Sequence, residues 1–184
     1  MNSILELDAR LSNQMRVAEK PGALRTIAAF FAHSGDSWFW AIGLFAAWIS
    51  GPTFWKQWAV VQLGSISVLA AFVLLIKFRV KRQRPQGEWG RIYRSTDPHS
   101  FPSGHAARAF LIATITAGLG PPGLAIALWV WAPLVALARV AMGVHYVSDI
   151  VAGALFGILV AVISLQMYMP LLNWVFGILG FSFW

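Results

Sequence analysis

A histidine and an aspartate stand four residues apart, at His145 and Asp149. On a helix that spacing puts both side chains on one face. A carboxylate holding one imidazole nitrogen leaves the other free to attack or to take a proton. A second imidazole, His105, directly follows Ser103-Gly104. A helix opened at that point turns its free amides toward an anion. Lys77, Arg84 and Arg139 supply fixed positive charge, and arginine can grip phosphate oxygens as a fork. Two histidines, one carboxylate and three cations suffice for phosphoryl transfer without a metal.

The same residue types have plainer uses. Ser103 alone would be an ordinary helix cap. Arg79, Lys81 and Arg82 are expected to anchor a helix end at the membrane interface. His33 and Asp36 are expected to form a local cap and interfacial pair. Arg108, one turn past His105, can face either the site or the interface. Arg139 follows an apolar run near a span end, where packing or snorkelling is the alternative to anion binding.

The elements that must position these residues follow from composition. The chain has 184 residues, of which 58% are hydrophobic and 11% charged. That is too apolar for an ordinary soluble domain, and apolar runs of spanning length recur. The expected fold is all-α: a transmembrane bundle of five or six spans preceded by N-terminal amphipathic helices. One membrane-embedded domain covers 1–184, with an interfacial segment at 1–34 broken near Pro21-Gly22. Spans are expected at 36–50, 57–78, 103–120, 124–143 and 145–169. Pro170 is expected to end the last, leaving a 14-residue tail that is interfacial, re-entrant or a tilted sixth helix. The chain has no cysteine, and its N-terminus does not read as a cleaved signal peptide. The net charge of +7 is assigned to helix flanks and an anion site, with no nucleic-acid partner.

This span order brings three polar clusters to one membrane face. Span two ends at the 79–102 loop and span three starts from it. Span four returns to the same face near Arg139, where His145 and Asp149 follow. The polar clusters are Lys77 to Pro85, Pro102 to Arg108, and Arg139 to Asp149.

These residues resemble the type-2 phosphatidic acid phosphatase superfamily of membrane lipid phosphatases. Lys77 and Arg84-Pro85 match its K-x6-RP motif. Pro102, Ser103, Gly104 and His105 match PSGH. Arg139, His145 and Asp149 match SR-x5-H-x3-D, with Ala138 where the family usually has serine. The resemblance covers 77–149. It implies that His145 attacks phosphorus, Asp149 orients it, and His105 protonates the leaving oxygen. It also implies that Lys77, Arg84, Arg139, Ser103 and the Gly104 amide hold the phosphate, with no metal or other cofactor. The implied substrate is a membrane lipid phosphate: phosphatidic acid, phosphatidylglycerol phosphate or a polyprenyl diphosphate. The alternatives are a lipid-to-lipid phosphotransferase and a non-catalytic lipid-phosphate-binding membrane protein. Vanadate haloperoxidases share the pocket motifs but are soluble.

Orientation divides the signals. Every lysine and arginine except Lys56 falls in the N-terminal segment or on the site's face, which by the positive-inside rule favours the cytoplasm. The family's bacterial members more usually face outward. Some of the basic residues belong to the site itself, so the extracytoplasmic face is the expectation.

Overall fold

The computed structural model describes residues 2–87, 89 and 97–179. Seven helices lie among them: α1 (Asn2–Gln14), α2 (Ala23–Ser34), α3 (Ser37–Ser50), α4 (Thr53–Val80), α5 (Gly104–Leu119), α6 (Pro122–Ala141) and α7 (Val147–Leu179). No strand occurs among the described residues, and a single isolated bridge pairs Gln83 with His99. The fold is all-α, as composition requires, and the chain breaks between α1 and α2 around Pro21-Gly22.

Among the described residues, three helices are long and apolar enough to cross a bilayer: α4, α6 and residues Val147–Val175 of α7. At 28 residues α4 is about 42 Å long, against about 30 Å of hydrocarbon. Its basic last turn therefore has length to reach an interface. α3 and α5 are shorter, at 14 and 16 residues. Outward side chains such as Phe72, Leu75, Ile126, Val130, Leu155 and Leu159 are exposed and apolar. In water that surface would be a liability; in lipid it is the expected exterior.

The tail differs from expectation. Pro170 does not end the last helix, because α7 runs through it to Leu179. Apolar residues continue on both sides of the proline. A chain in lipid must satisfy its backbone internally, so the helix resumes after the lost bond. Residues 180–184 of the expected tail lie outside the described residues.

The core is built around α5, which packs against α4, α6 and α7. Ala106, Ala107, Ala109, Leu111, Ile112, Ala113 and Ile115 are all buried. A short helix with five alanines among its 16 residues lets its neighbours approach closely. Gly153 and Gly157 of α7 complete that approach: a Cβ at either would collide with the α5 backbone, at Ser103 and Ala107 respectively. Gln62 of α4 adds a buried polar tie, donating to the Ile112 carbonyl and the Thr116 hydroxyl, each at 3.2 Å. The consequence for function is that the N-terminus of α5, which carries Ser103 to His105, is fixed against the start of α7.

Gly157→Ala should lower the detergent melting temperature by an amount equivalent to about 1–3 kcal/mol of overpacking, despite alanine's better helix propensity. Gly43→Ala, where an added Cβ meets nothing, should be neutral or stabilising. Equal melting temperatures for the two variants would contradict this packing.

Candidate active site

A cavity of about 350 Å³ lies where these helix ends meet. Its polar wall includes Lys77, Arg84, Arg139, Gly104, His105 and His145. Its apolar wall is Ile66, Leu69, Ala70, Val73 and Leu74, all from α4. The convergence expected from span order is therefore observed. Ser103 and Asp149 are buried behind this wall. The Ser103 hydroxyl accepts from the Ala106 amide at 3.4 Å, as an N-cap of α5. Its own amide donates to the Asp149 carbonyl at 3.0 Å.

The histidine pair is built differently from a shared helical face. His145 lies in the turn before α7, and only Asp149 is helical. Asp149 sits in the first turn and reaches back, its Oδ2 accepting from the Tyr146 amide at 2.9 Å. That is the carboxylate half of a capping box, which satisfies an otherwise orphaned donor. The same oxygen faces His145 Nδ1 at 3.4 Å. On the other side of the ring, Arg84 Nη1 lies 3.1 Å from Nε2. A guanidinium can only donate, so Nε2 is the acceptor and Nδ1 carries the proton. The lone pair of His145 is therefore on the nitrogen beside the cations. Burial, reinforced by the charges of Arg84, Arg139 and Lys77, holds the imidazole well below the usual histidine range. The ring is neutral at physiological pH, which is the form that can attack.

The cations are set by local turns. Lys81 ends α4 in a left-handed conformation (φ 52°), which reverses the chain and returns Arg84 over the site. Arg84 is locked by the Val144 carbonyl at 2.8 Å and the Asp97 carbonyl at 2.7 Å. Arg139, 1% exposed, donates to the Ala32 carbonyl at 3.3 Å. Arg108 turns to the site: it lines the cavity and holds the Gly35 carbonyl and the Ser37 hydroxyl, which secures the α2–α3 turn.

Three features escaped the sequence. Asp36 is not a simple local cap, because its side chain makes no bond to its own helix. Instead Oδ1 meets His105 Nε2 at 2.8 Å, while Oδ2 meets His33 at 3.2 Å. Burial pushes the Asp36 carboxyl up, but bonds from His105 and His33 outweigh it and hold it at about 2. It is therefore a lasting negative partner for His105. Asp97 is the second feature. Its carboxylate bridges Lys77 and Arg84, with Arg84 at 2.8 Å. The third is Arg82, which is not an interface anchor. It binds Asp149 Oδ1 at 2.9 Å, whereas Arg79 and Lys81 are exposed. Sequence spacing gave no signal for Asp36, which lies 69 residues from its partner.

A family model described as the PAP2 superfamily matches residues 58–172. The chain is 33% identical over 164 residues to the decaprenylphosphoryl-5-phosphoribose phosphatase of Mycobacterium tuberculosis, covering 86% of this chain and 88% of that one. Among solved structures, Aquifex aeolicus LpxE aligns with a TM-score of 0.68 at 28% identity, over 88% of this chain and 94% of that one. The transmembrane PAP2-type phosphatidylglycerolphosphate phosphatase from Bacillus subtilis shares the fold, with a TM-score of 0.70 at 22% identity over 92% and 88% of the two chains. The chain belongs to the PAP2 superfamily. It is a phosphatase and a membrane protein.

Asp97 supplies a test of the anion pocket. Its carboxylate competes for the cations that would bind an oxyanion. Asp97→Asn should tighten inhibition by orthovanadate several-fold, read as a fall in the inhibition constant. An unchanged or weaker inhibition would place the oxyanion elsewhere.

Proposed function

We propose that this phosphatase hydrolyses the phosphate ester or diphosphate of a membrane lipid through a phosphohistidine on His145. The observation that carries the reading is the place of His145 Nε2, 3.1 Å from Arg84 Nη1 and facing a wall of three cations, where its lone pair passes from Arg84 to phosphorus. Nε2 forms a bond to phosphorus as the bond from phosphorus to the leaving oxygen breaks. The proton on Nδ1 stays with His145, facing Asp149, which offsets the positive charge gained. Lys77, Arg84 and Arg139, with Ser103 and the Gly104 amide at the start of α5, stabilise the charge that builds on the phosphoryl oxygens. His105, backed by Asp36, takes up a proton as the anionic phosphate enters and gives it to the leaving oxygen. Neutral His105 then takes one from water, whose oxygen attacks phosphorus, releasing phosphate and regenerating the imidazole. The cations provide the charge that a metal would otherwise supply.

The α4 side of the cavity supports a lipid substrate. Five apolar residues continue directly from the cationic end, so a phosphate and its apolar chain fit one continuous wall. The mycobacterial relative is named for a polyprenyl-linked sugar phosphate, which supports a phosphomonoester on a long-chain lipid. On this reading the chain is one catalytic unit of five spans, with α3 and α5 completing the three longer ones, and the site faces outward. A cysteine introduced at Gln86 should then react with an impermeant reagent on intact cells. Reaction only after permeabilisation would reverse the orientation.

The central test is phosphate release from a panel of phosphatidic acid, phosphatidylglycerol phosphate, a polyprenyl diphosphate and a polyprenyl-linked sugar phosphate, with chelator present. Turnover should persist in chelator, with a trappable acid-labile phosphoenzyme. His145→Ala should abolish both, and Asp36→Asn should lower kcat about tenfold. Near-normal turnover by His145→Ala, or strict metal dependence, would sink the mechanism.

A further inference from the structure

The carboxylate behind His145 is itself held from a distant part of the chain. Asp149 Oδ1 accepts from Arg82 Nη1 at 2.9 Å, and Arg82 Nη2 binds Asp8 Oδ2 at 2.6 Å. Asp8 belongs to α1, the N-terminal helix. Its Oδ1 also accepts from the Ser148 amide at 3.0 Å, and its Oδ2 accepts from the Ser148 hydroxyl. One turn along, the Ser12 hydroxyl accepts from the Val147 amide at 3.0 Å. Val147 and Ser148 are the first two residues of α7, so their amides have no partner within the helix. α1 therefore caps α7 from outside. The Arg82 guanidinium also lies 4.0 Å from the Tyr146 ring centre, which fixes its plane. Asp8 and Ser12 are buried, while Ile4, Leu7 and Leu11 on the rest of α1 are exposed. The helix thus presents its polar residues to α7 and leaves apolar ones outside, as an interfacial helix does.

We propose that α1 is a positioning element of the active site, with Asp8 and Arg82 as positioning residues that hold the Asp149 carboxylate correctly aimed. This rests on the role given to Asp149 above. Neither residue touches the cavity, and neither falls within the three motifs' defining positions. Asp149 has two oxygens and two tasks. Oδ2 serves the Tyr146 amide and His145. Oδ1 needs a separate partner, because a half-satisfied buried carboxylate would rotate or take up a proton. The Ser100 side chain also bonds to this carboxylate, and Arg82 supplies the charged partner on Oδ1. Arg82 alone would be a long side chain with many rotamers; Asp8 and the Tyr146 ring remove that freedom. Burial pushes the Asp8 carboxyl up, and bonds from Ser148 and Arg82 more than offset it, so it stays charged. The chain therefore reads Asp8 to Arg82 to Asp149 to His145, and runs from the membrane-surface helix to the nucleophile.

The test is a kinetic cycle on the purified full-length protein. Asp8→Asn, Arg82→Ala, Arg82→Lys and Asp149→Asn are measured singly, and the first two again in the Asp149→Asn background by single-turnover assay. Detergent melting is followed for each, and Arg79→Ala, exposed in the last turn of α4, is the control. The expected result is a fall in kcat of about ten- to a hundredfold for Asp8→Asn and Arg82→Ala, with KM within about twofold. Arg82→Lys should restore part of the loss. In the Asp149→Asn background either change should cost less than about twofold, since the group they act through is gone. A single-variant loss below twofold, a loss carried by KM, or full additivity with Asp149→Asn would overturn the proposal. If Asp149→Asn itself keeps the parental rate, the role of Asp149 fails and the positioning claim falls with it. Asp8→Asn and Arg82→Lys nearly preserve shape. A kcat loss in them at an unchanged melting temperature separates positioning from a general loss of structure.

Discussion

Three cations, Lys77, Arg84 and Arg139, are buried in one wall of a cavity in a largely apolar bundle. Like charges gathered away from water repel, and each loses solvation. The fold has to compensate, and most of the site's features are the compensation. Backbone carbonyls from Ala32, Val144 and Asp97 accept from the two arginines. The Asp97 carboxylate lies across Lys77 and Arg84. What remains is a positive surface suited to the charge of a phosphoryl group. Burial, reinforced by the same field, holds His145 below the usual histidine range, so in the proposed mechanism one arrangement both binds the anion and prepares the nucleophile.

Helix ends do most of the positioning. Lys77 and Arg139 lie in the last turns of α4 and α6. The start of α5 brings Gly104 and His105, and the start of α7 brings Asp149. Each terminus leaves backbone groups unpaired, and here those groups are joined to one another across elements. Ser103 connects α5 to the Asp149 carbonyl. Asp8 and Ser12 serve the amides of α7. The loose ends of separate helices become one hydrogen-bonded layer, beneath which α5 is clamped by Gly153 and Gly157. That clamp makes the layer rigid enough to fix distances between residues far apart in the chain.

Two carboxylates show how roles divide. Asp149 and Asp36 each back one imidazole, but by different routes. Asp149 is four residues from its histidine and is anchored by its own helix start. Asp36 is brought to His105 by the α2–α3 turn, which Arg108 secures through Gly35 and Ser37. The α2–α3 region is thus part of the site's construction, although it contributes little to the cavity wall beyond Ser37.

The helical class, the approximate limits of every helix but the last, and the cluster from Lys77 to Asp149 were legible in the sequence. The physical reason is that these signals are local. Spans are runs of apolar residues, breaks are Pro, Gly and polar residues, and the motif spacings lie within a few turns. Span order then brought the motif residues together without knowledge of side-chain positions. Only the tertiary structure decided what lies behind them. Arg82 could not be told from Arg79 and Lys81, since all are basic residues at one helix end. The left-handed Lys81 and the partner on α1 separate them. Asp36 was invisible as a partner of His105, and Asp97 as a partner of the cations, because neither pairing has a fixed spacing. Pro170 was read as a helix end because proline breaks helices in water, whereas lipid gives the backbone no alternative to resuming. Contacts between distant elements depend on how helices pack around α5, and no short window of sequence holds that information.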